Sequence, residues 1–374
     1  MAARGRGASS SRRFVALGLM SGTSMDGVTA ALVRFNGEGA KVLRHRTYPY
    51  SGALRESLSR AARLTTPELS RLNFALGEAF AAAGRKLAGG VKLDVVGSHG
   101  QTVWHGSVDE PRNTLQLGEP SVIAERLKTP TVADFRPRDM AAGGEGAPLV
   151  PAFDLYCFGG GPLRAVQNIG GIANVSFVGK GRLWSAFDTG PGNSLLDAAC
   201  RLSTGGRMRM DEGGRLAARG EADRAKVERL LADPYFKRRP PKSLDKDYFG
   251  EAYLRRHFSP LTSGRLSNLL ASLSLLTARS IARAYERFSP KAAHLLEMIV
   301  SGGGAHNDFL MKALRDELKG LPVHPSDRYG IPAMAKEAAA FAWMAMEALG
   351  GRPNNCPVAT GADGPRILGK IIPA

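Results

Sequence analysis

Short apolar runs broken by glycine-rich polar stretches, with amphipathic segments between them, set the pattern of this chain. Phe14–Leu19 is apolar, Met20-Ser-Gly-Thr-Ser-Met-Asp-Gly27 is polar and Val28–Phe35 is apolar again, which predicts a buried strand, a loop and a returning strand. Leu69, Leu72, Leu76 and Phe80 recur at three-to-four spacing behind Thr66 and Pro67, with Gly89-Gly90 after them. That spacing predicts an amphipathic helix with Thr66 as N-cap and Pro67 at its first position. Leu93–Val96 predicts a short strand opening into a loop, Gly97-Ser-His-Gly-Gln-Thr102. A strand at Thr114–Leu117, a helix near Glu119–Arg126, a strand at Thr131–Phe135 and a long Gly/Pro loop from Arg136 to Pro148 follow.

The second half begins the same way. Arg164–Phe177 reads as strand, loop and strand around Gly170-Gly171, and a strand at Leu183–Phe187 leads into the loop Asp188-Thr-Gly-Pro-Gly-Asn193. Leu266–Phe288 is the longest predicted helix, and Leu295–Val300 is a strand ending in Ser301-Gly-Gly-Gly304. Asn307 is placed to cap a helix through Leu318, and a final helix spans Ala335–Leu349. Alternating strands and helices predict an α/β fold, and the repeated hairpin predicts two similarly built domains. Loop composition places the boundary near Pro148–Phe158, giving a tail at 1–13, a first domain at 14–150 and a second at 151–374.

Composition narrows the class. The 374 residues are 43% hydrophobic and 23% charged, which excludes a disordered or fibrous chain. The longest uncharged apolar stretch, around Leu266–Ala278, falls short of the roughly 18 residues of a membrane span. Cys157, Cys200 and Cys356 are far apart, so neither a disulfide framework nor a zinc ribbon is expected, and the cytoplasm is the expected compartment. The formal charge is +17. Part of it sits in Met1–Arg13, where Arg4, Arg6, Arg12 and Arg13 lie in a Gly/Ser/Ala context that predicts disorder and lacks the apolar core of a secretory signal. A second dense run, Lys237, Arg238, Arg239 and Lys242, reads as solvated surface. No basic stripe interleaved with aromatics appears, so an anionic small-molecule substrate is expected and a nucleic-acid partner is not.

Four polar glycine-rich loops each follow a predicted strand, and glycine-freed backbone amides are what a polyphosphate needs for close approach. None has the spacing of a P-loop or a dinucleotide fingerprint. In Gly22-Thr-Ser-Met-Asp-Gly27, Thr23, Ser24 and the amides suit phosphate, and Asp26 suits a magnesium ion; the same residues would equally make an ordinary hairpin turn. Asp188 stands at a strand end, where α/β folds place ligands. With Asn193 and Ser194 better placed to cap the next helix, Asp188 is the candidate general base. His99 lies near His105 without further zinc ligands, so a hydrogen-bonding role is expected. Arg136, Arg138 and Asp139 suit recognition of an anion or simply an exposed loop. Glu337 alone reads as a favourable charge at a helix start.

Taken together, Gly18–Gly27, Gly97–Trp104, Val132–Arg136, Ala141–Val150, Gln167–Gly171, Phe187–Asn193, Ser301–Asn307 and Gly330–Pro332 closely resemble the 1,6-anhydro-N-acetylmuramic acid kinase family, collinearly from about Val15 to the C-terminus. The resemblance implies two actin-like and hexokinase-like α/β domains with a nucleotide cleft between them, and ATP with Mg2+ as cofactors. It implies cleavage of the anhydro bridge of 1,6-anhydro-N-acetylmuramic acid by water, with transfer of the γ-phosphoryl group of ATP to the 6-oxygen. In that scheme Asp188 activates the water. Gly22, Thr23, Ser24, Met25, Asp26 and Gly27 form the phosphate loop, Gly170 and Gly171 a second phosphate contact, and Gly302, Gly303 and Gly304 the adenosine side. His99, Arg136 and Glu337 line the sugar side, where an arginine suits a lactyl carboxylate. Thr29 replaces an acid common in the family, and Glu145 a glutamine. A homodimer stays open as the assembly. The rival readings are a kinase of the same fold acting on another acceptor, a nucleotide- or muropeptide-binding sensor and, more distantly, a basic nucleic-acid binder.

Overall fold

The computed structural model describes residues 13–22, 25–37, 39–106, 109–244 and 248–374. Thr23, Ser24 and the basic tail up to Arg12 lie outside the described residues. The chain divides into two compact units, the first comprising Met1–Gly146, Glu337–Asn355 and Asp363–Ala374, the second Ala147–Lys336 and Cys356–Ala362.

The first unit carries a sheet of seven strands: β1 (Phe14–Ser21), β2 (Gly27–Asn36), β3 (Gly39–Pro49), β4 (Val95–Gly106), β5 (Asn113–Leu117), β6 (Thr131–Ala133) and β12 (Lys370–Ile372). Its order is β12-β6-β4-β1-β2-β3, with β5 paired to the distal part of β4. The second unit has β7 (Leu163–Ile169), β8 (Ile172–Gly179), β9 (Arg182–Pro191), β10 (Leu295–Ser301) and β11 (Val323–Pro325) in the order β11-β10-β7-β8-β9. Each sheet starts with three antiparallel strands and then returns a fourth parallel to the first. A parallel return needs a long crossover, and in each unit a 23-residue helix supplies it, Thr66–Ala88 in one and Leu266–Phe288 in the other. The repeat seen in the two hairpins is therefore a repeat of whole sheets.

Burial explains why these segments became elements. Leu72, Leu76 and Phe80 of the Thr66–Ala88 helix pack with Leu17, Leu19 and Val96, and Ala278, Ile281 and Tyr285 of Leu266–Phe288 pack with Phe177, Phe187 and Val300. The first helix starts one residue earlier than its composition suggests. Thr65 is the N-cap and forms a capping box with Glu68, while Gly89 closes the helix in the left-handed conformation.

Other expectations are corrected. β4 runs straight through Gly97–Thr102, which had the composition of a loop. The strand expected at Thr131–Phe135 stops at Ala133, and Phe135–Ala141 is a helix inside the stretch expected to be loop. A single cut at 150 also misplaces the C-terminal part, which rejoins the first unit. The reason is steric: a Cβ on Gly18 would lie 1.7 Å from the Ala338 carbonyl oxygen, and one on Gly97 would lie 2.0 Å from that of Phe341. Those glycines let the Lys336–Leu349 helix lie directly on β1 and β4. Among the described residues no helix is long and apolar enough to cross a membrane.

Candidate active site

In each unit the candidate residues gather where the parallel strands end. In the first unit, β4 presents His99 and Gln101, β1 ends at Ser21-Gly22, and Arg136 follows β6 on the short Phe135–Ala141 helix. Ser21 Oγ donates to Gln101 Oε1 at 2.6 Å, and Gln101 Nε2 donates to the Gly22 carbonyl at 3.2 Å, so β4 fixes the start of the Gly22–Gly27 turn. Met25 turns the chain with φ 54°, and the Asp26 carbonyl accepts from Tyr50 N–H at 3.0 Å. The Asp26 side chain is 60% exposed, 3.9 Å from Arg55.

The glycines of this turn differ in cause. Gly27 is demanded by the fold, since a Cβ there would meet the Tyr48 carbonyl at 2.1 Å, whereas Gly22 faces open space. Gly22 therefore owes its lack of a side chain to nothing in the described packing, and a ligand can approach its backbone closely.

His99 is only 6% exposed. Its Nδ1 faces the Gly100 carbonyl at 3.0 Å and its Nε2 receives the Arg136 guanidinium at 2.8 and 3.2 Å. That arrangement makes Nδ1 the protonated nitrogen and Nε2 the acceptor. Burial, reinforced by the Arg136 charge, pushes His99 down to about 3, so the ring is neutral. Arg136 donates its third bond to the Gly146 carbonyl at 2.8 Å. Burial lowers it to about 10 against the pull of Glu337 and Asp139, and it stays charged. His99, Arg136 and Glu337 are thus brought together as expected, but His99 serves as the bracket for Arg136. Asp139, grouped with the arginines in the sequence, is fully buried and accepts from Gly146 N–H at 2.9 Å and Asn355 at 3.2 Å, which makes it part of the scaffold.

In the second unit Asp188 sits inside β9, not in the loop after it. Ala173 pairs with Gly190 and Asn174 with Asp188, leaving Thr189 as a bulge in the register. Thr189 Oγ1 bonds the Ala173 carbonyl at 3.0 Å and accepts from Gln167 at 3.2 Å. Bulges re-aim neighbouring side chains, and here the neighbour is Asp188. Its Oδ2 accepts from Leu244 N–H at 2.8 Å, and its carbonyl from Tyr235 Oη at 2.6 Å. Burial raises its pKa to about 6, against the lowering effect of the Leu244 N–H and Lys242.

The Gly170-Gly171 turn after β7 and Gly302–Gly304 after β10 lie at the same end of this sheet. The expected capping by Asn193 and Ser194 is corrected: Gly192 is the N-cap of Asn193–Ser203, with no side-chain cap. Asn193 instead donates to the Ile169 carbonyl at 3.1 Å and Ser194 to that of Gly171 at 2.8 Å, tying down the turn. Gly302 and Gly304 are packed against Ile169, where added Cβ atoms would meet it at 2.7 and 2.4 Å, whereas Gly170 and Gly171 have ordinary clearance. Sequence reasoning missed Gln101, Tyr235, Leu244 and the bulge at Thr189, because they act through register and backbone bonds that no composition signals. It also misread Lys242, which is buried rather than solvated.

A half-buried carboxylate near a strand end with its pKa raised, glycine turns with room beside their backbone and a bracketed arginine fit a phosphotransferase acting on an anionic acceptor. Comparison with known proteins agrees. Residues 14–374 match the family model described as anhydro-N-acetylmuramic acid kinase. The anhydro-N-acetylmuramic acid kinase of Xanthomonas axonopodis pv. citri is 43% identical over 96% of this chain and 98% of its own. That of Caldanaerobacter subterraneus subsp. tengcongensis is 40% identical over 95% of this chain and 96% of its own. Among solved structures, an activator of 2-hydroxyisocaproyl-CoA dehydratase from Clostridium difficile with bound ADPNP covers 89% of this chain and 95% of its own at a TM-score of 0.46 and 13% identity, a likeness too distant to bear on function. The chain belongs to the anhydro-N-acetylmuramic acid kinase family.

Proposed function

We propose that this protein is an ATP-dependent kinase that opens the anhydro bridge of 1,6-anhydro-N-acetylmuramic acid with water and phosphorylates the freed 6-oxygen. The observation that carries the reading is Asp188, a carboxylate aimed by a bulge and raised to about 6 by burial, with family membership naming the acceptor. A base of that strength is largely ionised at neutral pH and still able to take a proton. Asp188 removes a proton from the water that attacks the anomeric carbon; the 6-oxygen leaves carbon and bonds phosphorus, and ADP departs. No covalent enzyme intermediate is needed, since phosphoryl transfer asks the protein chiefly for positioning and charge neutralisation.

The Arg136 guanidinium, held by His99, grips the lactyl carboxylate, and Glu337 faces the same group of residues. The amides of the Gly22–Gly27 turn and of Gly170-Gly171 receive phosphate oxygens, with Thr23 and Ser24 adding hydroxyls; Gly302, Gly303 and Gly304 back the adenosine. Among the described residues no group of three or more metal-ligating side chains forms. That set still fits magnesium, which commonly binds through one carboxylate, waters and substrate phosphates. Asp26, largely exposed at the turn, would hold it directly or through water, and the ion would supply charge neutralisation on the phosphates. A cytoplasmic location accompanies this reading.

The test is ADP release by the purified protein with ATP and magnesium, comparing the anhydro sugar, plain N-acetylmuramic acid and neutral hexoses. Turnover confined to the anhydro sugar is expected. Equal turnover with a hexose would assign a different acceptor.

A further inference from the structure

Lys242 ends a run of basic residues, yet it is only 5% exposed. Its ammonium donates to the Tyr235 carbonyl at 3.3 Å and lies 4.5 Å from the Tyr235 ring centroid, 5.1 Å from that of Phe288 and 5.8 Å from that of Phe187. Aromatic faces and one carbonyl thus replace its water. Among the described residues it forms no ion pair, and the carboxylate whose charge reaches it is that of Asp188.

The backbone around Lys242 closes on the same residue. The Lys242 carbonyl accepts from Asp188 N–H at 3.0 Å, and two residues later Leu244 N–H donates to Asp188 Oδ2 at 2.8 Å. Tyr235, whose carbonyl holds the ammonium, donates its hydroxyl to the Asp188 carbonyl at 2.6 Å. The main chain and carboxylate of Asp188 are therefore both bonded to the 235–244 segment, and the caged lysine anchors that segment in the interior.

We propose that Lys242 is a positioning residue: its caged ammonium fastens the 242–244 stretch across the end of β9, so that the Leu244 N–H and the positive charge both bear on the Asp188 carboxylate. This rests on the reading of Asp188 as the base. The surrounding groups fit. Burial, Arg238 and Arg287 weaken the lysine's hold on its proton, bringing it to about 8, and Asp188 opposes them. The buried Tyr235 hydroxyl stays protonated beside Asp188.

The experiment is a carbon-detected NMR titration of Asp188, assigned by its loss in Asp188→Asn, in the parent, Lys242→Met and Lys242→Arg. Methionine keeps the cage filled and removes the charge. The Asp188 midpoint is expected to rise in Lys242→Met and to return toward the parent in Lys242→Arg. A tenfold weaker acid would cut the ionised fraction about fivefold at pH 6 and leave it near complete above about pH 8.5, so the turnover deficit should be confined to the acid side. Coupling is reciprocal: Asp188→Asn should lower the midpoint of labelled Lys242 by the same amount, a readout that remains if Lys242→Met does not fold. These titrations need no turnover, so an error in the acceptor would leave them standing. Unmoved midpoints in both directions, with loss of thermal stability alone, would overturn the proposal and leave Lys242 a packing residue.

Discussion

The two units use one strand order for opposite electrostatic ends. At the end of the first sheet, a neutral buried histidine holds an arginine that already has its protein partners, so the cation is fixed before any ligand arrives. At the end of the second, a half-buried aspartate is raised to about 6 by desolvation, opposed by one N–H and one caged lysine. Five strands follow the same order in both, with β12 and β5 added in the first; the residues at the strand ends and the helices that cover them differ. One end carries a fixed positive charge, the other a carboxylate whose charge burial opposes.

This contrast can be broken at several points. Asp188→Asn should show the largest effect, a fall in kcat of about 10²- to 10⁴-fold with little change in nucleotide affinity, the range for loss of a general base. Binding by calorimetry beside turnover would check it. The same variant should gain stability. A carboxylate whose pKa is raised by folding stabilises the fold below its unfolded pKa and loses that contribution as pH rises through about 6. Asp188→Asn should therefore be more stable than the parent by on the order of 2 kcal/mol at pH 7.5 and not below about pH 4, as read by urea unfolding.

On the first unit's side, Arg136→Ala should raise KM for the sugar by about 10- to 100-fold while kcat changes less, the scale of a lost charge-assisted contact of roughly 1.5–3 kcal/mol. His99→Ala should do the same more weakly, by freeing the guanidinium. The parent should show one acidic limb in its pH profile, near 6, because His99 does not titrate between pH 5 and 8. A second limb abolished by His99→Ala would contradict the neutral bracket. Gly97→Ala should lower stability by about 1–3 kcal/mol as the added methyl displaces the Lys336–Leu349 helix. The smallest effect is expected of Glu145→Gln, at an exposed position, where removing a negative charge near an anionic substrate should lower KM by about twofold. Unchanged values would separate Glu145 from the sugar.

Much of this was legible in the residues. The two hairpins, the Thr66–Ala88 and Leu266–Phe288 helices and the Asn307 cap follow from apolar spacing, capping residues and polar loops, whereas the grouping of His99 with Arg136 is legible only through the family resemblance. What escaped depends on contacts distant in sequence. Gly97-Ser-His-Gly-Gln-Thr102 looks like a loop because two glycines and four polar residues weaken strand propensity, yet pairing on both sides makes it the middle of β4. Gly18 and Gly97 look like turn residues, and only the helix lying on them shows that they admit a backbone. Lys242 looks like surface because lysine usually is, and its cage is assembled from Phe187, Tyr235 and Phe288 on three separate segments.

The most direct test of the account is the product made from 1,6-anhydro-N-acetylmuramic acid, ATP and magnesium by the parent and by Asp188→Asn, with nucleotide binding confirmed for both. The account predicts that the parent forms N-acetylmuramic acid 6-phosphate and ADP in equal amounts and that Asp188→Asn forms neither at a comparable rate. Undiminished product from Asp188→Asn would contradict it, because the proton would then be taken by another group.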